Sequence, residues 1–257
     1  MPFQKVQPEK LSSSVVRQIE GLILRGILRP GERLPAERDL AARLGVSRPS
    51  LREAVAELQD QGLLTTKAGS GIFVADVLGS AFSPALTRLF ATHDEAVFDY
   101  LSFRRDMEGL AAERAARFGS DSDLRVIQTI FDRMQQAQAR ANATEEEAQL
   151  DAQFHSAIID ASHNVVMLHM MRSMYDLLRQ GVFYNRKVMF SQRTSRAALL
   201  DQHRAINDAL QARAPDAARA AIEAHLDYVQ EALATQRRAD RNEAVARLRL
   251  DHQSRKG

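Results

Sequence analysis

Cysteine is missing from all 257 residues, which removes both a disulfide framework and thiolate chemistry from consideration. No apolar run approaches the roughly 20 residues that a membrane-spanning helix needs. The opening Met-Pro-Phe-Gln-Lys-Val-Gln-Pro-Glu-Lys lacks the apolar core of a secretory leader, so a soluble, cytoplasmic protein without a membrane partner is expected. A large excess of one charge is absent as well: 35 Lys and Arg stand against 33 Asp and Glu. That balance conceals a gradient. Residues 1–78 carry 11 basic against 9 acidic side chains, residues 79–235 carry 17 against 21, and residues 236–257 carry 7 against 3. The middle is acidic and both ends are basic. The last segment is open as a DNA contact or, as is commoner for charged termini, as a solvated tail. An apolar fraction of 45% is ample for a packed core, and the length suits one large or two medium domains.

What is present is most informative between residues 34 and 73. Pro35 suits the first turn of a helix and Gly45 its left-handed end, with Leu40, Ala41 and Leu44 spaced to face a core. Ser47 is placed as an N-cap for a second helix. Pro49 fits its first turn, and Leu51, Val55 and Leu58 recur at helical spacing until Gly62 stops it. Two helices joined through Gly45-Val46 make a helix-turn-helix. Arg48 and Arg52 project side by side from the second helix, off its apolar stripe, where recognition helices reach base edges. A run from Leu63 to Lys67, the turn Ala68-Gly69-Ser70-Gly71, and Ile72-Phe73-Val74 predict a hairpin wing. Taken alone, an arginine pair on a helix is a solvated face. The caps, the hairpin and an upstream helix from Ser13 to Arg25 together point to double-stranded DNA instead.

Residues 76–90 interrupt the pattern at Asp76-Val-Leu-Gly-Ser-Ala-Phe-Ser-Pro84. Beyond them strand signals are scarce, and helical segments are predicted near 94–118, 121–141, 145–162, 165–189, 194–213 and 215–236. An antiparallel helical bundle follows. Asp151 and His155 lie four apart on one helix face. The midpoint of His203 and His225 is Ala214, beside the helix-starting Pro215, so a helical hairpin turning there brings the two rings to one height. Three imidazoles and a carboxylate in a bundle core suit a divalent transition metal such as zinc, nickel or manganese. The competing reading is hydrogen-bonded core histidines, as for His163 and His169, with His93 and His252 on the surface.

The block from Leu34 to Phe73 resembles the signature of the GntR superfamily of winged-helix transcription regulators. That resemblance implies operator contacts from Arg38, Arg48 and Arg52, helped by Ser47, Ser50 and the wing glycine Gly69. Arginine suits the task, because its planar fork takes O6 and N7 of guanine together. Arg104-x-x-x-Glu108, Asp151-x-x-x-His155, Asn164, His203 and His225 resemble the hallmarks of the all-helical FCD effector domain of that superfamily. In such domains the aspartate and three histidines hold a metal that binds a small organic acid, and Arg104 matches the arginine facing the effector. Glu108 and Arg105 are expected to be structural ion-pair partners. Val46-Ser-Arg-Pro-Ser-Leu-Arg-Glu-Ala54 and His163-Asn-Val-Val-Met-Leu-His169 most resemble the pyruvate-dehydrogenase-complex repressors. They imply a repressor with pyruvate as first effector choice, lactate and glycolate as alternatives, and TGGT and ACCA half-sites.

The expected fold is mainly α: a winged helix-turn-helix over 1–78, a linker at 79–90, an all-α effector and dimerisation bundle over 91–236, and a basic tail at 237–257. Function is expected to be operator binding as a homodimer, because one recognition helix touches too few bases for useful specificity. A metal-dependent enzyme is the rival from another class. No paired carboxylates or nucleophile stand beside the quartet, and Asp151 is already used as a ligand. A DNA-binding architectural protein with an inert oligomerisation domain is the other alternative.

Overall fold

The computed structural model describes residues 10–67, 69–76, 83–140, 143–179 and 193–254. They fall into two compact units, Met1–Ala81 and Phe82–Gly257.

The first unit holds α1 (Leu11–Leu24), α2 (Glu37–Leu44), α3 (Arg48–Asp60), β1 (Leu64–Lys67) and β2 (Gly71–Val74). Val15, Val16, Ile19 and Ile23 on α1 meet Leu51, Ala54, Val55 and Leu58 of α3 in one apolar core, which Leu34, Leu40, Leu64 and Val74 complete. The Ser47 hydroxyl accepts from the Ser50 amide at 3.2 Å and starts α3, and Gly45 closes α2 at φ +66°. Pro35 stands differently from expectation. α2 begins only at Glu37 after an Ala36 N-cap without a side-chain bond, and Glu37 and Asp39 supply the negative charge that a helix start favours. β1 and β2 pair antiparallel with Leu64 opposite Val74 and Lys67 opposite Gly71. A feature not foreseen is a bridge from Arg33 to Phe73. Through it the Leu34 amide donates to the Ile72 carbonyl at 2.9 Å. The wing is thereby tied to the chain entering α2.

The second unit holds α4 (Pro84–Thr92), α5 (Asp94–Phe118), α6 (Asp121–Gln138), α7 (Thr144–Ala161), α8 (Val165–Arg179), α9 (Arg193–Gln211) and α10 (Pro215–Ser254). Small residues Ala111, Ala112, Ala115 and Ala116 let α5 sit deep in the bundle, against a core that includes Ile127, Phe131, Leu150, Phe154, Ile158, Met171, Ile206, Leu210 and Ile222. Gly109 marks a close approach of α5 and α10, since a Cβ there would stand 3.1 Å from Glu223 Oε1.

Two expectations differ from the structure here. Much of the anticipated linker is α4, because Ser83 caps it by accepting from the Leu86 amide at 3.2 Å and Pro84 occupies its first turn. The anticipated tail from 237 continues α10 as helix through Ser254. Leu233 is buried, whereas the side chains from Arg238 to Leu250 are exposed. The expected helical stretch 180–189 and the wing residue Ala68 lie outside the described residues.

Candidate nucleic-acid interface and metal centre

On the head, Arg48 and Arg52 emerge from the first two turns of α3 with side chains 57% and 64% exposed. Both turn toward one carboxylate. Arg52 pairs with Glu37 through Nε and, at 3.2 Å, through Nη2, while Arg48 Nη2 stands 3.6 Å from Glu37 Oε2. The Arg52 hydrogen bond is the largest cause of the lowered pKa of Glu37 and opposes the rise that burial would bring. Glu37 keeps its negative charge as a result. Arg38 is exposed and lies 3.4 Å from Asp39. Ser47 and Ser50 share a hydroxyl contact at 2.9 Å. Gly69 sits in the exposed wing turn at φ +71°, which a side chain would strain. Glu37 escaped the sequence reading, which sought donors for DNA and gave no weight to an acceptor eleven residues upstream of Arg48.

In the bundle, α7 contributes Asp151 and His155, α9 His203, and α10 His225. All four are buried, and one donor atom from each lies within 4.8 Å of the others. The hairpin at Arg213-Ala214 places the His203 and His225 ring centres 4.5 Å apart, and His155 stacks on His225 at 5.2 Å. Asp151 Oδ1 lies 3.2 Å from His203 Nε2 and 3.7 Å from His155 Nε2. The Nδ1 atoms face outward onto acceptors. His203 Nδ1 meets the Leu199 carbonyl at 2.6 Å, His225 Nδ1 meets Gln202 Oε1 at 2.9 Å, and His155 Nδ1 meets Glu108 Oε2 at 2.6 Å.

These neighbours favour a proton on Nδ1, and the Nε2 atoms of His155 and His203 face Asp151, the arrangement metal-binding imidazoles adopt. Both ring nitrogens of His155 and Nε2 of His203 are buried without a well-formed hydrogen bond, as is Glu108 Oε2, for all its closeness to His155 Nδ1. Donors bound at about 2.1 Å from one centre stand about 3 to 4.2 Å apart, so the 4.8 Å spread must contract by about 0.6 Å or more to close on an ion. The donor set fits a divalent transition metal.

Electrostatics favour the same use at His225, whereas His155 would have to give up a proton to a bound metal. Burial is the largest influence on His225 and lowers its pKa well below the ordinary value, reinforced by His203 and His155, so its ring is neutral at neutral pH. Burial also opposes charge on His155, but Glu108 and then Asp151 reverse this and raise its pKa. Glu108 itself remains ionised: burial favours its neutral form, and the charge of Arg104 followed by His155 overcomes that.

Arg104 is 1% exposed, with Nε 2.5 Å from Glu108 Oε1 and its guanidinium between the faces of Tyr100 and Tyr175 at 5.9 and 5.4 Å. Glu108 therefore joins Arg104 to His155 and does more than the simple ion pairing expected of it. Arg105 does pair on the surface, with Asp227 at 2.8 Å. Asn164 lies apart from the quartet and caps α8 by accepting from the Met167 amide at 3.1 Å. His163 is exposed rather than in the core, 2.9 Å from Asp123.

Comparison with known proteins agrees with both halves. The family described as "Bacterial regulatory proteins, gntR family" matches residues 11–74, and "FCD domain" matches residues 99–228. The chain belongs to the GntR family, in its FCD branch. As a GntR regulator it shares 36% identity with the "Putative L-lactate dehydrogenase operon regulatory protein" of Escherichia coli strain K12, over 96% of each chain. It shares 34% with the Glc operon transcriptional activator of the same strain, over 85% of this chain and 87% of that one. The solved Streptococcus agalactiae GntR covers 86% of this chain and 99% of its own at TM-score 0.51 and 24% identity, a likeness of fold. This GntR-family chain is a DNA-binding transcriptional regulator and not an enzyme. Among the described residues, no helix is long and apolar enough to cross a membrane.

Proposed function

We propose that this regulator binds an inverted-repeat operator as a homodimer and senses a small carboxylate bearing an adjacent oxygen, through a divalent metal held by Asp151, His155, His203 and His225. The observation that carries the reading is the buried quartet of one carboxylate and three imidazoles, one donor atom of each lying within 4.8 Å of the others, with the Nδ1 atoms of His203 and His225 already bonded elsewhere. Such a metal, when bound, supplies a Lewis-acidic centre able to chelate a carboxylate and its neighbouring oxygen. The chain's own part is to orient the imidazoles and to present Arg104 as a cation for the remaining carboxylate charge. A relative named for an L-lactate dehydrogenase operon supports a 2-hydroxy acid, which moves L-lactate ahead of pyruvate and glycolate. On the head, Arg48 and Arg52 read guanines of TGGT-type half-sites, with Arg38, Ser47, Ser50 and the Gly69 turn positioning the backbone.

The deciding experiment is thermal stability and operator affinity measured with L-lactate, pyruvate and glycolate, before and after chelation. One acid is expected to raise the melting temperature and change operator affinity only in metal-loaded protein. Operator affinity unmoved by millimolar amounts of all three would overturn the sensor reading and favour an effector-independent DNA binder.

A further inference from the structure

The polar faces of α7 and α9 extend beyond the four donors. Glu147, Asp151 and His155 recur every four residues on α7, and Arg196 and His203 are seven apart on α9, so each set shares one helix face. One end of this shared polar strip is closed by an ion pair. Arg196 Nε lies 3.0 and 2.9 Å from the two Glu147 oxygens, and its Nη2 lies 2.6 Å from Oε1. The Glu147 side chain is only 5% exposed and that of Arg196 18%.

The same Nη2 donates to the carbonyls of Gln138 and Arg140 at 3.1 and 3.2 Å, and the Gln138 side-chain amide returns a bond to the Arg196 carbonyl at 3.2 Å. Carbonyls at a helix C-terminus lack intrahelical donors, and a guanidinium suits both their geometry and their partial negative charge. One side chain thus ties the end of α6 to the starts of α7 and α9. Between this pair and His203 lies a cavity of about 10 Å³, lined by Met134, Gln138, Glu147, Arg196, Leu200 and His203. It has room for about one water.

We propose that Arg196 and Glu147 form a positioning latch for the metal site, setting the placement of α9 against α7 and with it the approach of His203 to Asp151. The inference rests on the metal reading above. Two routes transmit the latch. Glu147 precedes Asp151 by one helical turn on α7, and Arg196 precedes Leu199, whose carbonyl holds His203 Nδ1, by nearly one turn on α9. Slippage of either first turn alters the spacing of the donor pair, and metal affinity falls steeply when ligands are misplaced.

The test uses full-length protein, Zn2+ titrated against a competing chelator, and the visible spectrum of the Co2+-loaded form, for wild type, Glu147→Gln, Arg196→Met, Arg196→Lys and His203→Ala. Glu147→Gln and Arg196→Met are expected to weaken Zn2+ ten- to hundredfold and to alter the Co2+ spectrum. Arg196→Lys is expected to recover part of the loss, since an ammonium can meet Glu147 but lacks the planar fork that serves both carboxylate and carbonyls. Wild-type Zn2+ affinity and an unchanged Co2+ spectrum in Glu147→Gln and Arg196→Lys, even with a lower apo melting temperature, would reduce the pair to packing and overturn the latch. Retention of Zn2+ by His203→Ala would instead refute the metal reading itself.

Discussion

At the residue scale, the head and the bundle use buried or half-buried carboxylates in the same way, to hold a cation or imidazole in one orientation. Glu37 gathers Arg48 and Arg52, and Glu108 gathers Arg104 and His155. Arg52→Ala is expected to cost about 1 to 3 kcal/mol on a TGGT-containing operator and to flatten discrimination among sequences, as read by competition binding. An equal loss on operator and random DNA would make Arg52 a phosphate contact. Glu37→Gln is expected to act in the opposite sense on random DNA. It removes a negative charge beside the contact surface and frees two guanidinium groups for any phosphate, so non-specific affinity rises and the operator-to-random ratio falls. In the bundle, His203→Ala is expected to abolish the near-stoichiometric transition metal that elemental analysis should find in the wild-type chain. Full metal occupancy in that variant would end the quartet model.

At the element scale, the junction of α6 with the end of α7 shows how local chemistry sets helix boundaries. Ser120 and Asp123 form a reciprocal cap: the Asp123 amide donates to the Ser120 hydroxyl at 3.2 Å, and the Ser120 amide donates to Asp123 Oδ2 at 2.8 Å. His163, held at φ +50° just past α7, reaches the same oxygen. Ser120→Ala is expected to lower stability by about 1 kcal/mol in urea unfolding without changing metal content. The acid side has a defined sign. Burial tends to raise the Asp123 pKa, but Ser120 and then His163 hold it below 3.8. Its contribution is therefore complete above about pH 4 and is lost as pH falls through the lower folded value. Asp123→Asn should remove that part of the acid dependence, and an unchanged acid unfolding curve would count against it.

Elements were legible in the sequence where capping and periodicity agreed, as at Ser47, Gly45 and the Arg213-Ala214 hairpin. They were misread where one signal was taken alone. Ser83-Pro84 looked like an interruption, yet serine followed by proline is also a helix start, and it opens α4. The charge of residues 237–254 suggested a loose tail, but the stretch contains neither glycine nor proline and is rich in alanine, arginine and leucine, so α10 continues. The supports of the proposed metal site were the least visible. The Leu199 group involved is a backbone carbonyl, which every residue has. Gln202 serves His225 from another helix, and Glu108 reaches His155 across 47 positions of chain. No spacing rule connects the last two pairs, because tertiary packing brings them together.

At the scale of the whole molecule, the proposed sensing requires that a carboxylate in one unit be linked to DNA on the other. An effector alters operator affinity only through its differential affinity for the DNA-competent and DNA-incompetent states, and a tenfold change corresponds to about 1.4 kcal/mol of coupling. Thermodynamic linkage makes that coupling reciprocal. If L-lactate changes operator affinity by some factor, saturating operator must change L-lactate affinity by the same factor, as calorimetry of the metal-loaded protein with and without DNA would read. The bundle supplies a control that separates sensing from DNA binding. Arg104 is buried on α5, within the second compact unit, whereas the arginines proposed to read DNA all lie in the first. Arg104→Ala or chelation is therefore expected to erase both halves of the reciprocal effect while leaving operator affinity without effector nearly unchanged. Unequal factors in the two titrations would mean that lactate and operator do not share one two-state equilibrium, and that the bundle influences the head by another route.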